Sequence, residues 1–198
     1  IFIMKYISNS EENKTTLLNR FLRYVKTWTE SNSEQADKGI IPSTPQQWDL
    51  AKKLLAELKE IGIQDSCLTD ECYVYGYLPG KGEPLLFLAH MDTSEEVSGK
   101  NVNPIIEGDI MKTDGTTLLG ADDKAGISAI MSALEYLLKH PEIEHCPIEV
   151  IFSPDEETGH GMDKVPLDLI KSKYAYTVDG GEEGEMETEC FNAWGCTV

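Results

Sequence analysis

The stretch of sequence that decides the fold is residues 84–92, which reads PLLFLAHMD. Its apolar part, Pro84–Ala89, is short and continuous and follows turn-forming residues at positions 79–82, a pattern that predicts a buried β-strand. The strand runs directly into His90 and Asp92, so an imidazole and a carboxylate follow its carboxyl end. In open α/β sheets, ligands bind beyond this end of the strands. The stretch therefore predicts a strand with a polar site at its end.

Two later apolar runs end in acidic residues in the same way. Ile148–Phe152 runs into residues 153–157, SPDEE, and Tyr174–Val178 runs into residues 179–181, DGG. Earlier in the chain, the segment GADDKAG at 120–126 opens the strongest predicted helix, whose apolar positions over 124–139 recur every three or four residues. Strands that alternate with helices predict an α/β fold in which a mixed, partly parallel sheet is flanked by helices.

The remaining elements are predicted from weaker patterns. Thr44 is typical of a helix cap, since proline and two glutamines follow it, and Gly62 is typical of a helix end. These two residues bound a predicted helix from 44 to 61. Apolar spacing and turn residues predict the other elements, which are a helix over 12–29, a strand over 73–77, a hairpin over 103–113 and a short helix over 166–172.

The composition argues against several classes of protein. With 198 residues, 40% of them hydrophobic, the chain can bury one sizeable core, which disfavours disordered and fibrous classes. The formal net charge of -18 repels nucleic-acid backbones and anionic membranes, so we expect no nucleic-acid and no membrane partner. No apolar run approaches the roughly 18 to 20 residues of a membrane span, and the N-terminal residues lack a signal-peptide pattern. The five cysteines include no CxxC pair, which favours reduced thiols and a cytoplasmic location.

Each polar segment also has a purely structural interpretation. Asp122 and Asp123 can cap a helix start, residues 155–157 can form a solvated acidic loop, and Asp179 with Gly180 is typical of a turn. All of these segments, however, lie at predicted strand ends or at a helix start. Their combination therefore favours a metal site.

The ligand types in these segments indicate which metals would suit such a site. One imidazole with several carboxylates suits zinc, manganese or cobalt. A carboxylate can bridge two metals, while another carboxylate that binds no metal accepts a proton from the activated water. Adjacent acids such as Glu156 and Glu157 can divide these roles. Asp92, on the same side of an extended chain as His90, is placed to orient the imidazole.

Four segments carry a resemblance to a known family. They are residues 90–93, HMDT; 118–126, LLGADDKAG; 154–157, PDEE; and 176–181, YTVDGG. In order and spacing they resemble the peptidase T family, tripeptide aminopeptidases among the di-zinc exopeptidases related to aminoacylases and glutamate carboxypeptidases. The resemblance implies Zn2+ as the cofactor, with two ions per full-length subunit, and a short peptide as the substrate.

The resemblance also implies roles for individual residues. His90 and Asp179 would bind one zinc, Asp122 would bridge both ions and Glu157 would bind the second. The catalytic residues would be Glu156, as the general base, and Asp92, which would support the His90 site. The implied reaction is attack of a zinc-bridging water on the first peptide bond, which releases the N-terminal residue. A cis peptide bond between Asp122 and Asp123 is implied as well.

Two features of the family have no counterpart in these 198 residues. One is a further histidine for the second zinc, whose context His140, His145 and His160 do not occupy. The other is a lid domain used for dimerisation. We therefore expect residues 1–190 to be the N-terminal portion of the zinc-dependent catalytic domain and residues 191–198 to begin a truncated lid. Such a fragment would bind at most one zinc tightly and would be inactive or nearly so, and a homodimer would require the lid.

Two other functions stay open at this point. One is a different di-zinc exopeptidase or deacylase, of the dipeptidase, carboxypeptidase or aminoacylase type. The other is a fragment that binds metal without catalysing a reaction. Hydrolysis of tripeptides, dipeptides and acylated amino acids, measured beside zinc stoichiometry, distinguishes the three.

Overall fold

The structure is a computed structural model that describes residues 11–108, 110–180 and 185–188. The helices in this part of the chain are α1 (Glu11–Val25), α2 (Ser33–Ala36), α3 (Gln47–Ile61) and α4 (Ala121–Lys139), with a short 3-10 helix at Glu156–Thr158. The strands are β1 (Asp65–Leu68), β2 (Val74–Leu78), β3 (Leu85–His90), β4 (Ile105–Glu107), β5 (Ile110–Lys112), β6 (Ile148–Ser153) and β7 (Tyr174–Thr177).

Five of the described strands form a mixed sheet in the order β1-β2-β6-β3-β7. The strand β3 is parallel to both of its neighbours, and its Leu85 lies opposite Ile148 of β6 and Tyr174 of β7. The strands β1 and β2 are antiparallel to each other, and β2 is antiparallel to β6. The predicted mixed, partly parallel sheet is therefore confirmed. Because β3, β6 and β7 run in one direction, their carboxyl ends meet at the same edge.

The main core lies where α3 and α4 pack against one face of this sheet. The helix α4 buries the apolar side that its periodicity predicted, α3 buries an apolar side as well, and β6 contributes alternate residues to the same cluster. Ile151 of β6 points into a second cluster with Tyr73, Tyr75 and Leu86. The strand β6 is therefore buried on both faces, as expected for a central strand between parallel and antiparallel neighbours. Among the main-core residues are Leu50, Leu54, Leu58, Ile127, Met131, Leu134, Val150 and Phe152.

Most predicted elements are present, with small shifts at their ends. The helix predicted over 12–29 ends at Val25. The strand β1 was not predicted, because its sequence carries no distinct strand pattern. The helix α3 ends at Gly62 with φ +114°, the left-handed conformation that favours glycine, which confirms the predicted end. The predicted Thr44 cap is wrong. The helix begins after Gln46, and the Thr44 hydroxyl donates to the carbonyl of Glu30 instead.

The short helix predicted over residues 166–172 is also wrong, because this segment forms turns. The backbone amides of Lys171 and Ser172 donate to the carboxylate of Glu149, which lies in β6 and is fully buried. These long-range bonds replace the local bonds that a helix would make. The lid predicted at 191–198 lies outside the described residues.

Two further features concern the helices and the cysteines. None of the described helices combines the length and the apolar character needed to cross a membrane. Of the cysteines, the structure describes Cys67, Cys72 and Cys146, and all three are free thiols.

Candidate metal centre

His90 is the last residue of β3 and is only 2% exposed. Its Nδ1 lies 3.1 Å from the carbonyl oxygen of Asp92 and 3.3 Å from the carboxylate Oδ1 of the same residue. Both neighbours accept hydrogen bonds, so Nδ1 carries a proton. This arrangement fixes the ring and turns Nε2 toward the remaining acidic residues, which is the usual way in which a ligating histidine is held.

Asp92 is fully buried and joins two strand ends. Its Oδ1 accepts a hydrogen bond from the backbone N–H of Glu156 at 3.0 Å, and its Oδ2 accepts one from the N–H of Glu157 at 3.2 Å. One carboxylate therefore contacts His90 at the end of β3 and the turn that follows β6. The structure places Asp92 where it can orient other groups.

The start of α4 presents two carboxylates in different directions. The bond between Asp122 and Asp123 is cis, as the family resemblance implied. Asp122 is largely exposed, and its Oδ1 lies 2.7 Å from His90 Nε2. Asp123 is buried, and its carboxylate accepts bonds from the backbone N–H groups of His90, at 3.3 Å, and Gly126, at 3.0 Å.

A close approach between α4 and the end of β7 positions Asp179. A Cβ at Gly126 would lie 2.1 Å from the carbonyl oxygen of Val178, so only glycine fits there. The N–H of Val178 also donates to Leu88 in β3 at 2.8 Å. Asp179 follows directly, with Oδ2 3.7 Å from His90 Nε2.

The turn after β6 brings the last two predicted residues to the same place. Glu156 Oε2 lies 3.8 Å from His90 Nε2, with the side chain about half exposed. Glu157 offers a carboxylate oxygen to a group formed with His90 and Asp122, and the ligand atoms of that group lie within 4.8 Å of one another. We use the name strand-end cluster for the six residues predicted from the sequence, His90, Asp92, Asp122, Glu156, Glu157 and Asp179.

A second group of possible ligands contains a residue that the sequence analysis did not single out. His90, Asp123 and Asp179 also offer ligand atoms within 4.8 Å of one another. The signal for Asp123 was its position beside Asp122, but a capping role explained that position equally well. In the described part of the chain, His90 is the histidine of both groups. His160 instead pairs with Asp163, at 2.7 Å, and with Asp37, at 3.2 Å.

The charges in the strand-end cluster are unbalanced. Burial opposes the protonated form of His90, but hydrogen bonds with Asp122 and Asp92 outweigh it and raise the pKa of His90 to about 11. Burial raises the pKa of Glu157, and the charge of Asp122 raises it further. Burial also raises the pKa of Glu156. Asp122, Glu156 and Asp179 lie near Nε2, and Glu157 lies beside them. Within residues 11–108, 110–180 and 185–188, no lysine or arginine forms an ion pair with any of these four acids.

This donor set fits a divalent cation. It offers one imidazole nitrogen and several carboxylate oxygens, a combination typical of zinc, manganese and cobalt sites. Burial first, and then the charges of neighbouring carboxylates, raise the pKa values of Glu156 and Glu157, and a bound cation would offset both effects.

Comparison with known proteins gives consistent similarities. The model of peptidase family M20/M25/M40 matches residues 86–189. The chain is 43% identical to a peptidase T of Listeria innocua and 45% identical to one of Geobacillus thermodenitrificans. These matches cover 93% and 91% of this chain but 53% and 52% of the relatives. The chain therefore spans about half the length of the curated relatives it matches.

The fold is also similar to that of a solved peptidase. A crystal structure of aminopeptidase PepT from Bacillus cereus superposes with a TM-score of 0.71 at 27% sequence identity. The superposition covers 86% of this chain and 44% of that one. Both comparisons therefore align most of this chain with part of a longer protein.

Proposed function

This chain belongs to peptidase family M20/M25/M40, and from that membership we propose that it carries the metal-binding and proton-accepting groups of a zinc-dependent tripeptide aminopeptidase. The observation that supports the proposal most directly is the surroundings of His90 Nε2. Carboxylate oxygens of Asp122, Asp179 and Glu156 lie 2.7, 3.7 and 3.8 Å from it. The names of the similar proteins, peptidase T and aminopeptidase PepT, support a peptide as the substrate, and the family resemblance supports a short one.

In this proposal the ligands divide between two zinc ions. His90, Asp179 and Asp122 would hold the first ion, and Asp122 and Glu157 would contribute to the second. Asp123 is a supporting residue, because the N–H groups of His90 and Gly126 already occupy its carboxylate. When bound, zinc supplies a water of lowered pKa and polarises the carbonyl of the scissile bond.

Glu156 is the proposed general base. Its backbone N–H is held by Asp92, while its carboxylate stands beside His90 Nε2 and remains accessible to solvent. Its raised pKa suits a group that accepts a proton from water and returns it to the leaving amine. Asp92 keeps both Glu156 and His90 in place.

The span of the chain supports a second candidate function. The relatives are about twice as long, and each possible ligand group in the described residues contains one histidine. Binding one zinc without efficient catalysis is therefore our proposal for the isolated chain. We extend the proposal to a cytoplasmic location and to a homodimer that depends on a lid domain, of which residues 191–198 would be the start.

A zinc titration by calorimetry, combined with peptide hydrolysis, tests these proposals. We expect at most one tightly bound zinc per chain, lost in His90→Ala and little changed in Glu157→Ala, because Glu157 contributes to the weaker site. Failure of the chain to bind zinc would overturn the metal centre. Two bound zincs with robust tripeptide hydrolysis would show that the chain alone is active. Preferential hydrolysis of dipeptides or acylated amino acids would favour another exopeptidase or deacylase.

A further inference from the structure

A second set of buried polar residues adjoins the turn that carries Glu156 and Glu157, and no step of the proposed reaction uses it. Its central residue is Asp155, a carboxylate with no exposed surface. Ser43, which precedes α3, and Gln47, the first residue of α3, are buried beside it. A buried carboxylate is costly unless hydrogen bonds replace its water. Ser43 and Gln47 supply such hydrogen bonds to Asp155.

The contacts fix Asp155 through both its side chain and its main chain. Its Oδ2 accepts a bond from the N–H of Ser43 at 2.7 Å, and its Oδ1 accepts bonds from the Ser43 hydroxyl and from Gln47 Nε2, the latter at 2.6 Å. Gln47 Oε1 in turn accepts a bond from the N–H of Asp155 at 3.2 Å. The backbone of Asp155 is left-handed, with φ +54°, which aspartate tolerates better than most residues.

The chain beyond Asp155 is held at a second point. The next two N–H groups, those of Glu156 and Glu157, donate to Asp92 at 3.0 and 3.2 Å. The turn is thus fixed on one side by the start of α3 and on the other by the residue that orients His90. If the first attachment were lost, the turn would be held by its bonds to Asp92 alone; these bonds would open more often, and both glutamate side chains would move.

We infer that Ser43, Gln47 and Asp155 form a clamp that sets the positions of the Glu156 and Glu157 carboxylates relative to His90. The roles of these two glutamates as base and ligand rest on the proposed function. Asp155 is a positioning residue, since Ser43 and Gln47 take up its carboxylate oxygens. The clamp deepens the proposed function by adding residues from before α3 to the support of the site.

Two neighbouring glutamines allow a matched test. Gln47→Met removes both contacts with Asp155 and keeps a side chain of similar size. Gln46→Met removes a bond from Nε2 to the carbonyl of Glu30, at 2.9 Å, and serves as the control. We expect hydrogen exchange at the N–H groups of Glu156 and Glu157 to become about tenfold faster in Gln47→Met and to stay unchanged in Gln46→Met.

Cobalt affinity provides a second readout, with Co2+ alone as the probe. Losing support behind a metal ligand typically weakens binding by about tenfold or more, so we expect Gln47→Met to lose roughly tenfold in affinity at the weaker site, to which Glu157 contributes, and to keep its affinity at the site of His90, Asp122 and Asp179. Ser43→Ala removes one hydrogen bond to Asp155 and should shift both readouts in the same direction by less, whereas Ser43→Thr keeps the hydroxyl and should restore them. Should Gln47→Met fail to fold, Ser43→Ala against Ser43→Thr decides the question.

The outcomes separate the clamp from the proposed function. A Gln47→Met variant that melts earlier but matches Gln46→Met in amide exchange and cobalt affinity would show a merely structural role and overturn the clamp. Failure of the unmodified chain to bind Co2+ would count against the proposed function. In that case amide exchange at Glu156 and Glu157 would still decide whether the clamp exists.

Discussion

Two clusters of carboxylates in this molecule differ in the partners that offset their negative charge. In the first, between α1, α3 and α4, buried Arg20 donates to Glu57 at 2.7 Å, to Glu135 at 2.6 Å and to the hydroxyl of Ser132 at 2.8 Å. We call this the helix cluster. The second is the strand-end cluster around His90, in which no described lysine or arginine pairs with the acids around Nε2. In the described residues, the helix cluster contains an arginine, whereas the strand-end cluster has only the imidazole of His90, whose proton on Nε2 a bound metal would displace.

The pKa values of the glutamates in the two clusters are shifted in opposite directions. Burial opposes ionisation of Glu57, but hydrogen bonds from Tyr24 and Arg20 outweigh it and lower its pKa. For Glu157, burial and the neighbouring Asp122 both raise the pKa. The helix cluster is therefore complete as a structural brace between three helices. The strand-end cluster is a set of charges that a divalent cation would complete.

The largest expected effect is the loss of the cation in the helix cluster. Arg20→Met leaves Glu57 and Glu135 without their shared partner, and breaking such a buried pair costs about 3 to 5 kcal/mol of unfolding free energy. Arg23→Met is the control, because Arg23 also pairs with Glu57 but its side chain is 56% exposed, and we expect a loss below about 1 kcal/mol. Urea denaturation measures both, and similar losses for the two variants would contradict the structural role of Arg20.

A smaller effect is expected when zinc is added to the strand-end cluster. A ligand at 100 times its dissociation constant stabilises the folded state by about 2.7 kcal/mol, so zinc should raise the free energy of unfolding by a similar amount, and EDTA should reverse it. Arg20→Met should keep this increment, since Arg20 lies in the other cluster, whereas His90→Ala should lose it. An increment that survives in His90→Ala would mean that zinc binds elsewhere.

The smallest effect is the opposite pH dependence of the two glutamates without added metal. Glu57 has a pKa below its ordinary value of 4.5, so its charge contributes stability above pH 4.5, and this contribution is lost as the pH falls through the lowered pKa. We expect Glu57→Gln to cost about 1.5 kcal/mol at pH 7 and less in stronger acid. Urea denaturation at several pH values between 7 and 3.5 measures the change.

The corresponding variant in the strand-end cluster should have the opposite sign. Glu157 has a pKa above 4.5, so its charge lowers stability above that raised pKa, and the penalty disappears as the pH falls toward 4.5. Glu157→Gln should therefore stabilise the chain slightly at pH 7, by less than about 0.5 kcal/mol, and have no effect near pH 4. Destabilisation of similar size by both variants would show that the two clusters do not differ in this respect.

Much of the fold was predictable because its signals are local. The apolar runs that became β3 and β6 and the periodic residues of α4 each lie within a few positions of one another, and they indicated the elements that the structure contains. The failures came from distant partners. Residues 166–172 do not form a helix because Glu149, more than 20 positions away, accepts the N–H groups of Lys171 and Ser172.

The candidate site divides in the same way. The four motifs that contain His90, Asp122, Glu156, Glu157 and Asp179 were visible because each ends a predicted strand or begins a helix, and their roles as ligands and base stay predictions. Asp123 and the clamp around Asp155 were not recognised. The roles of Asp123 and Asp155 depend on which hydrogen-bond donors contact them, and the sequence motifs do not indicate those donors.

The sequence by itself determined the residue types at the strand ends, the class of fold and the family resemblance, because periodicity and motif spacing are properties of neighbouring residues. Only the tertiary structure decided which carboxylates are occupied by hydrogen bonds and which remain available. Asp92 meets the N–H of Glu156 across 64 positions, and Gln47 meets Asp155 across 108. Such pairs form only when strand register and helix packing bring distant segments within about 3 Å, the range over which a hydrogen bond acts.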